Sequence, residues 1–182
     1  IDNCNVCHGK LAFHGGSGRA EVRYCVVCHT NQRAYGQALA TSTAGKFPAL
    51  TETKTVNALT GITSYSYSPN TYVADGEVSG NFNTMIHKIH QGKELVKENY
   101  HYAGVVFDNK GFSKLGGGQR MCTTCHDSKV ASTAENYKLL PSRTACGACH
   151  DGIVWSTGGG STLGDKAATA YGAALATSGH VG

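Results

Sequence analysis

Eight cysteines fall into four units of one kind: Cys4-Asn5-Val6-Cys7-His8, Cys25-Val26-Val27-Cys28-His29, Cys122-Thr123-Thr124-Cys125-His126 and Cys146-Gly147-Ala148-Cys149-His150, with none left over. Each unit is C-x-x-C-H, the spacing at which a c-type haem is attached. Two thiols one short turn apart can each form a thioether to a porphyrin vinyl edge, which leaves the adjoining imidazole under the iron. Attachment and axial ligation therefore come as one unit. Structural zinc, a redox dithiol and disulfides also use paired cysteines. None of the three requires histidine directly after the second cysteine, four times over. Zinc is the strongest of these rivals, because four pairs of thiols can close two tetrahedral thiolate sites.

Four haems would also account for an odd composition. With 24 Gly, 15% charged residues and few large aliphatic side chains, 182 residues supply little apolar volume of their own. Four flat apolar macrocycles, one per roughly 45 residues, would supply the rest. The expected fold class is a multihaem cytochrome c: little regular secondary structure, short helices and loops wrapped around a closely packed haem chain, and a small β-hairpin insert at most. The second motif begins 21 residues after the first and the fourth 24 after the third, with 97 residues between the starts of the second and third. That spacing suggests residues 1–42 as a first di-haem module and 43–80 as a haem-free insert. Residues 81–182 would hold a distal-histidine helix, a second di-haem module and a C-terminal tail. The insert lacks Cys and His, alternates Tyr65 and Tyr67 with small polar residues, and turns at Pro69-Asn70. It reads as a surface hairpin first and as an interface second. TGGGSTLG reads as a loop or linker, and DKAATAYGAALATSG as a helix capped by Asp165 and stopped by Gly179, or as an ordered tail wrapped over a haem.

The second axial ligand sets what each iron can do. Only Met85 and Met121 are available as thioethers, and Met121 abuts Cys122, so methionine ligation is not general. With His8, His29, His126 and His150 assigned as proximal ligands, His14, His87, His90, His101 and His180 remain for four irons. His87 and His90 share one face of an expected helix at i and i+3, so one helix can serve two haems. His14 precedes a glycine run that lets backbone approach a porphyrin closely, and His180 sits in a turn-like tail. His101, between Tyr100 and Tyr102, is the spare imidazole. With histidine on both sides, each iron stays six-coordinate and low-spin, and one-electron exchange needs little reorganisation.

An enzyme of the same class, such as a multihaem reductase of nitrite or a related nitrogen oxide, needs one iron with an exchangeable position. All four motifs end in His and the spare imidazoles outnumber the irons, which favours an electron carrier over an enzyme. The alternative from another class is a zinc-stabilised interaction module. The polypeptide is formally +4, but ionised propionates would bring the haem-loaded chain to about zero when oxidised and about −4 when reduced, so nothing points to nucleic acid. Arg19, Arg23, Arg120 and Arg143 lie near the motifs and either pair with propionates or are solvated. No apolar run is long enough to span a bilayer. Ile1 opens no leader-like segment, which fits a mature chain numbered after cleavage. Covalent haem attachment takes place outside the cytoplasmic membrane, so the expected location is exported.

CNVCHGKLAFHGG, YCVVCHTNQRAYG, MIHKIHQGKEL, PSRTACGACHDGI and the closing SGHVG together resemble the OmcA/MtrC family of outer-membrane multihaem cytochromes, in particular one of its pentahaem domains. The likeness spans most of the chain except about residues 50–80. It implies extracellular electron transfer at the cell surface, with the periplasm as the alternative location. Partners would be other multihaem cytochromes or copies of this chain, and acceptors such as metal oxides, flavins or electrodes. On matching positions it supports His14, His87, His90 and His180 as distal ligands and gives His101 no counterpart. The family's fifth C-x-x-C-H, which follows the HVG stretch, has no equivalent before Gly182. That difference fits a fragment, a tetrahaem relative or a subunit of a cytochrome filament.

Overall fold

Phe47, Leu95, Tyr100 and Phe107 come from the stretch between the second and third cysteine motifs, and there they gather with Ala74 into a buried cluster. The Phe47 and Tyr100 rings stand 4.9 Å apart, tilted by 52°. Ala40, Met85, Ile89 and Tyr102 pack against this cluster from outside. The chain is seen here as a computed structural model that describes residues 2–14, 18–109, 111, 122–129, 132–156 and 158–161.

Short helices carry the ends of the fold: α1 (Asp2–His8), α2 (Val22–Cys28), α3 (Phe82–Gln91), α4 (Asn136–Leu139) and α5 (Arg143–Cys149). Between them run short strands: β1 (Leu39–Ala40), β2 (Thr51–Val56), β3 (Thr63–Ser68), β4 (Val73–Ala74), β5 (Glu77–Val78), β6 (His101–Tyr102), β7 (Val105–Val106), β8 (Ile153–Val154) and β9 (Gly159–Gly160). β1 pairs parallel to β4 with Leu39 opposite Val73, and β4 pairs antiparallel to β5 with Val73 opposite Val78. Asp75 and Gly76 join β4 to β5 with φ of 50° and 84°, the left-handed pair that a tight hairpin turn demands. β6 and β7 are joined in the same way by Ala103 and Gly104, at φ 49° and 81°. Gly104 has a second constraint, since a Cβ there would stand 2.4 Å from Tyr67 Cε1. Tyr67 thus lies flat on a bare backbone and ties the β2–β3 ribbon to the body.

That ribbon pairs Thr51 with Ser68 through to Val56 with Thr63, and every residue of it except Tyr67 is exposed. α3 starts at the Asn81 cap, whose side chain accepts from the Asn83 N–H, and stops at Gly92. Its buried residues are Thr84 and Lys88, and the helix packs against α5.

These observations correct two expectations. The chain is a small mixed helix and β-sheet domain with four small sheets among the described residues, not a multihaem cytochrome of little regular structure whose helices and loops wrap a closely packed haem chain. The apolar deficit is real for the chain as a whole but not for residues 40–107, which hold enough aromatic and aliphatic volume to close a core of their own. Among the described residues, no group of three or more His, Cys, Asp or Glu side chains gathers into a metal site at the centre of the fold. The second correction concerns the glycine-rich segment near residue 158. Gly159 and Gly160 are not linker but β9, paired with Val154 and Ile153.

Candidate haem attachment and ligand sites

All four motifs sit on helical turns, which brings both thiols and the imidazole within one turn of each other. α1 carries Cys4 and Cys7 and ends on His8, α2 carries Cys25 and Cys28 with His29 as its cap, and α5 carries Cys146 and Cys149 with His150 as its cap. The third motif forms a 3-10 turn over Cys122–Thr124. In the last three motifs the histidine N–H donates to the first cysteine's carbonyl, at 2.8, 2.8 and 2.9 Å for His29, His126 and His150. All eight thiols are free, and each is at least partly accessible. Val6, Val26 and Val27, which lie between the thiols of the first two motifs, are exposed. A cleft of about 540 Å³ beside the second motif is lined by Val26, Val27, His29, Phe82 and Asn83, among others.

Motifs far apart in sequence are close in space. The Asn3 side chain donates to the Cys125 carbonyl at 2.6 Å. Burial raises the Cys125 thiol above its ordinary range, with Cys4, Cys7 and Cys122 adding to the effect. Burial likewise pushes the Cys149 thiol up to about 11 against the opposing pull of Lys88, and Asp151 and Cys122 contribute in the same direction as burial.

The imidazoles meet in pairs. The His8 and His90 ring centroids are 6.0 Å apart with planes at 83°, His14 and His29 are 6.2 Å apart at 24°, and His87 and His126 are 6.3 Å apart at 11°. A metal bound to two opposed imidazole nitrogens at roughly 2.0–2.1 Å each, with the ring centre about 1.1 Å further out, separates the centroids by about 6.3 Å. The centroid separations of the three pairs match that value. The hydrogen bonds on the far side of the rings fit as well. His87 Nδ1 meets the Asn83 carbonyl at 2.7 Å, His90 Nδ1 the Ile86 carbonyl at 2.8 Å and His29 Nδ1 the Gly80 carbonyl at 3.0 Å. A carbonyl only accepts, so each Nδ1 carries the proton and each Nε2 keeps its lone pair for a metal. Burial lowers the pKa of His29 and of His87, against the opposing effect of those carbonyl bonds, and so favours the neutral, ligating form.

His14 holds its place with a left-handed backbone, φ 64°. His150 caps α5, whereas His180 lies outside the described residues. His101 differs from the rest. It is 1% exposed, its Nε2 donates to the Pro69 carbonyl, its Nδ1 has no hydrogen-bond partner among the described residues, and its ring packs beside Tyr67. Met85 packs on the aromatic core, and Met121 lies outside the described residues. Pairwise convergence matters for the choice of metal, because a haem iron takes only two protein ligands whereas structural zinc needs three or four. The described residues offer twos and no threes.

Sequence reasoning passed over three residues. Asp151, directly after His150, accepts from the Val96 and Lys97 N–H groups at 2.9 Å each and fixes the backbone behind the fourth motif. Tyr102 packs edge-on to His29, with ring centroids 5.6 Å apart, and its hydroxyl accepts from Arg33 Nε at 2.7 Å. Lys88 is buried between α3 and α5. The helical period of α3 already put Lys88 on the face opposite its histidines, but nothing local says that this face is covered.

Helical C-x-x-C-H turns beside paired imidazoles are the equipment of a c-type cytochrome. Over residues 1–178 the chain matches the family described as outer membrane cytochrome MtrC/MtrF-like, domains II/IV, and it belongs to that family. Membership makes it an outer-membrane type of cytochrome, exported to the cell surface, with a role in extracellular electron transfer. No curated protein and no solved structure matches the chain. Among the described residues no helix is long and apolar enough to cross a membrane.

Proposed function

We propose that this chain is a tetrahaem electron-transfer module, attaching haem c at Cys4 and Cys7, Cys25 and Cys28, Cys122 and Cys125, and Cys146 and Cys149. The axial pairs are His8 with His90, His29 with His14, His126 with His87 and, by elimination, His150 with His180. The observation that carries this reading is the spacing of three imidazole pairs, 6.0–6.3 Å between centroids. Haem, when bound, supplies a one-electron iron couple. The residues would do the rest: the thiols would tether it, the paired imidazoles would ligate its iron and leave no position for substrate, and backbone carbonyls hold the His29, His87 and His90 rings by Nδ1. The exposed valines between the thiols gain a flat apolar cover. The sequence modules 1–42 and 81–182 are joined at α3, which serves the first and third motifs together.

Mass spectrometry and visible spectra test the proposal. The intact chain should carry four haem masses, and dithionite should give a low-spin spectrum that carbon monoxide barely changes. Extensive carbon monoxide binding would favour the reductase reading, and a colourless chain with bound zinc the interaction module. The module passes electrons to other cytochromes, metal oxides, flavins or electrodes. A second reading, assembly of copies into a filament, is favoured by the two-stranded β2–β3 ribbon, which is exposed at every residue but Tyr67 and pairs with no third strand among the described residues. Negative-stain images of purified protein separate fibres from dispersed particles.

A further inference from the structure

Lys88 is completely buried, an environment that an ammonium enters only when it is paired. Its Nζ lies 3.3 Å from Glu77 Oε2, 3.4 Å from the Ala148 carbonyl and 4.3 Å from the centre of the Tyr100 ring. Ala148 stands between Cys146 and Cys149, inside the fourth attachment motif. Lys88 falls between His87 and His90 in sequence, on the opposite face of α3, so one buried cation joins the helix of two proposed distal ligands to the turn of the fourth attachment motif.

Stability alone gives no reason for this arrangement, because an apolar side chain of similar volume commonly packs as well as a buried ion pair. The field of the charge is another matter. Lys88 is sealed from solvent whereas the Glu77 side chain is 27% exposed, so water screens the carboxylate more than the ammonium. Asp151, also buried beside this motif, opposes Lys88, but of the charges that act on Cys149 the Lys88 ammonium is the strongest, and such a charge favours an added electron nearby.

We propose that Lys88 is a potential-setting residue: its ammonium, held against the Cys146–His150 motif, keeps the reduction potential of the haem attached there above the value its ligands alone would give. The proposal rests on haem attachment at that motif, and its test separates the two claims. Mass and low-spin absorbance of the wild-type holoprotein come first. If the fourth motif carries no haem, both claims fall at that step. A redox titration followed in the visible bands then compares wild type with Lys88→Met, Lys88→Arg and Glu77→Gln. The Met variant is expected to move about a quarter of the absorbance change, one haem of four, to lower potential with unchanged mass and spin state. The Arg variant keeps the wild-type curve, and the Gln variant moves the same fraction upward. Curves for Met and wild type that superimpose overturn the assignment while leaving haem attachment standing. So do Met and Gln shifts of the same sign, which a mere loosening of the α3–α5 contact would produce. If the Met variant does not fold, the Arg and Gln variants decide by the same signs, and an unmoved Gln curve overturns the proposal.

Discussion

Histidine does two jobs in this chain, and the hydrogen-bonded ring nitrogen distinguishes them. His29, His87 and His90 donate through Nδ1 and keep Nε2 available, whereas His101 donates through Nε2 from inside the core. His101→Ala should therefore lower stability by about 2–4 kcal/mol through the cavity it leaves while the number of low-spin haems stays the same. Thermal melts alongside visible spectra check this, and loss of a low-spin centre would assign His101 to an iron after all. The ring planes make a separate point. Imidazoles in nearly parallel planes split the iron's dxz and dyz orbitals, and imidazoles at right angles leave them almost degenerate. His8 and His90 meet at 83°, but His87 and His126 meet at 11° and His14 and His29 at 24°. Electron paramagnetic resonance of the ferric protein should show one highly anisotropic low-spin signal from the His8–His90 centre beside ordinary rhombic ones. A uniform set of rhombic signals would contradict the pairing.

Among the elements, the turn between β4 and β5 ties the segment after β1 to the segment after α3. The Asp75 carboxylate accepts from the Ser42 backbone and hydroxyl at 2.8 and 2.7 Å and from Lys97 Nζ at 2.6 Å. Burial alone would raise its pKa, but those bonds outweigh burial and hold the carboxyl below its ordinary range. A carboxylate depressed in the folded state adds stability above about pH 4, its unfolded value, and that contribution drains away as the pH falls through the folded value. Asp75→Asn should cost at most about 1 kcal/mol near neutrality, because the group is partly solvated. It should also flatten the acid limb of the stability curve. Urea melts at a series of pH values measure both, and parallel acid limbs in the two proteins would remove Asp75 from the account.

At the scale of the whole molecule, α3 is where sequence order and spatial order part. His90 faces His8 from the first motif and His87 faces His126 from the third, so one helix of ten residues spans centres whose cysteines lie more than a hundred positions apart. Removing either histidine should free one axial position without releasing a haem, since the thioethers persist. His87→Ala and His90→Ala are each expected to bind about one carbon monoxide per reduced chain and the double variant about two, with four haem masses retained in all. Titration with carbon monoxide reads the numbers directly. A single variant that opens two sites would show that α3 had moved as a unit.

The proposed chemistry of the chain rests on local motifs, which are legible in the sequence. C-x-x-C-H contains its own geometry because five consecutive residues make one helical turn, and His87 and His90 declare a shared face by being three apart. The architecture was not legible. Two-residue strands such as β1, β4 and β6 leave no periodic trace. A core assembled from Phe47, Ala74, Leu95, Tyr100 and Phe107 exists only once five separate segments have met. A low average of apolar residues therefore gave a misleading impression of what one region could bury. Which imidazole faces which, and the sealing of Lys88 beneath the fourth motif, are likewise products of tertiary structure, because they depend on where separate segments come to rest. Residue identity settles which groups can bind. Only packing decides which of them meet.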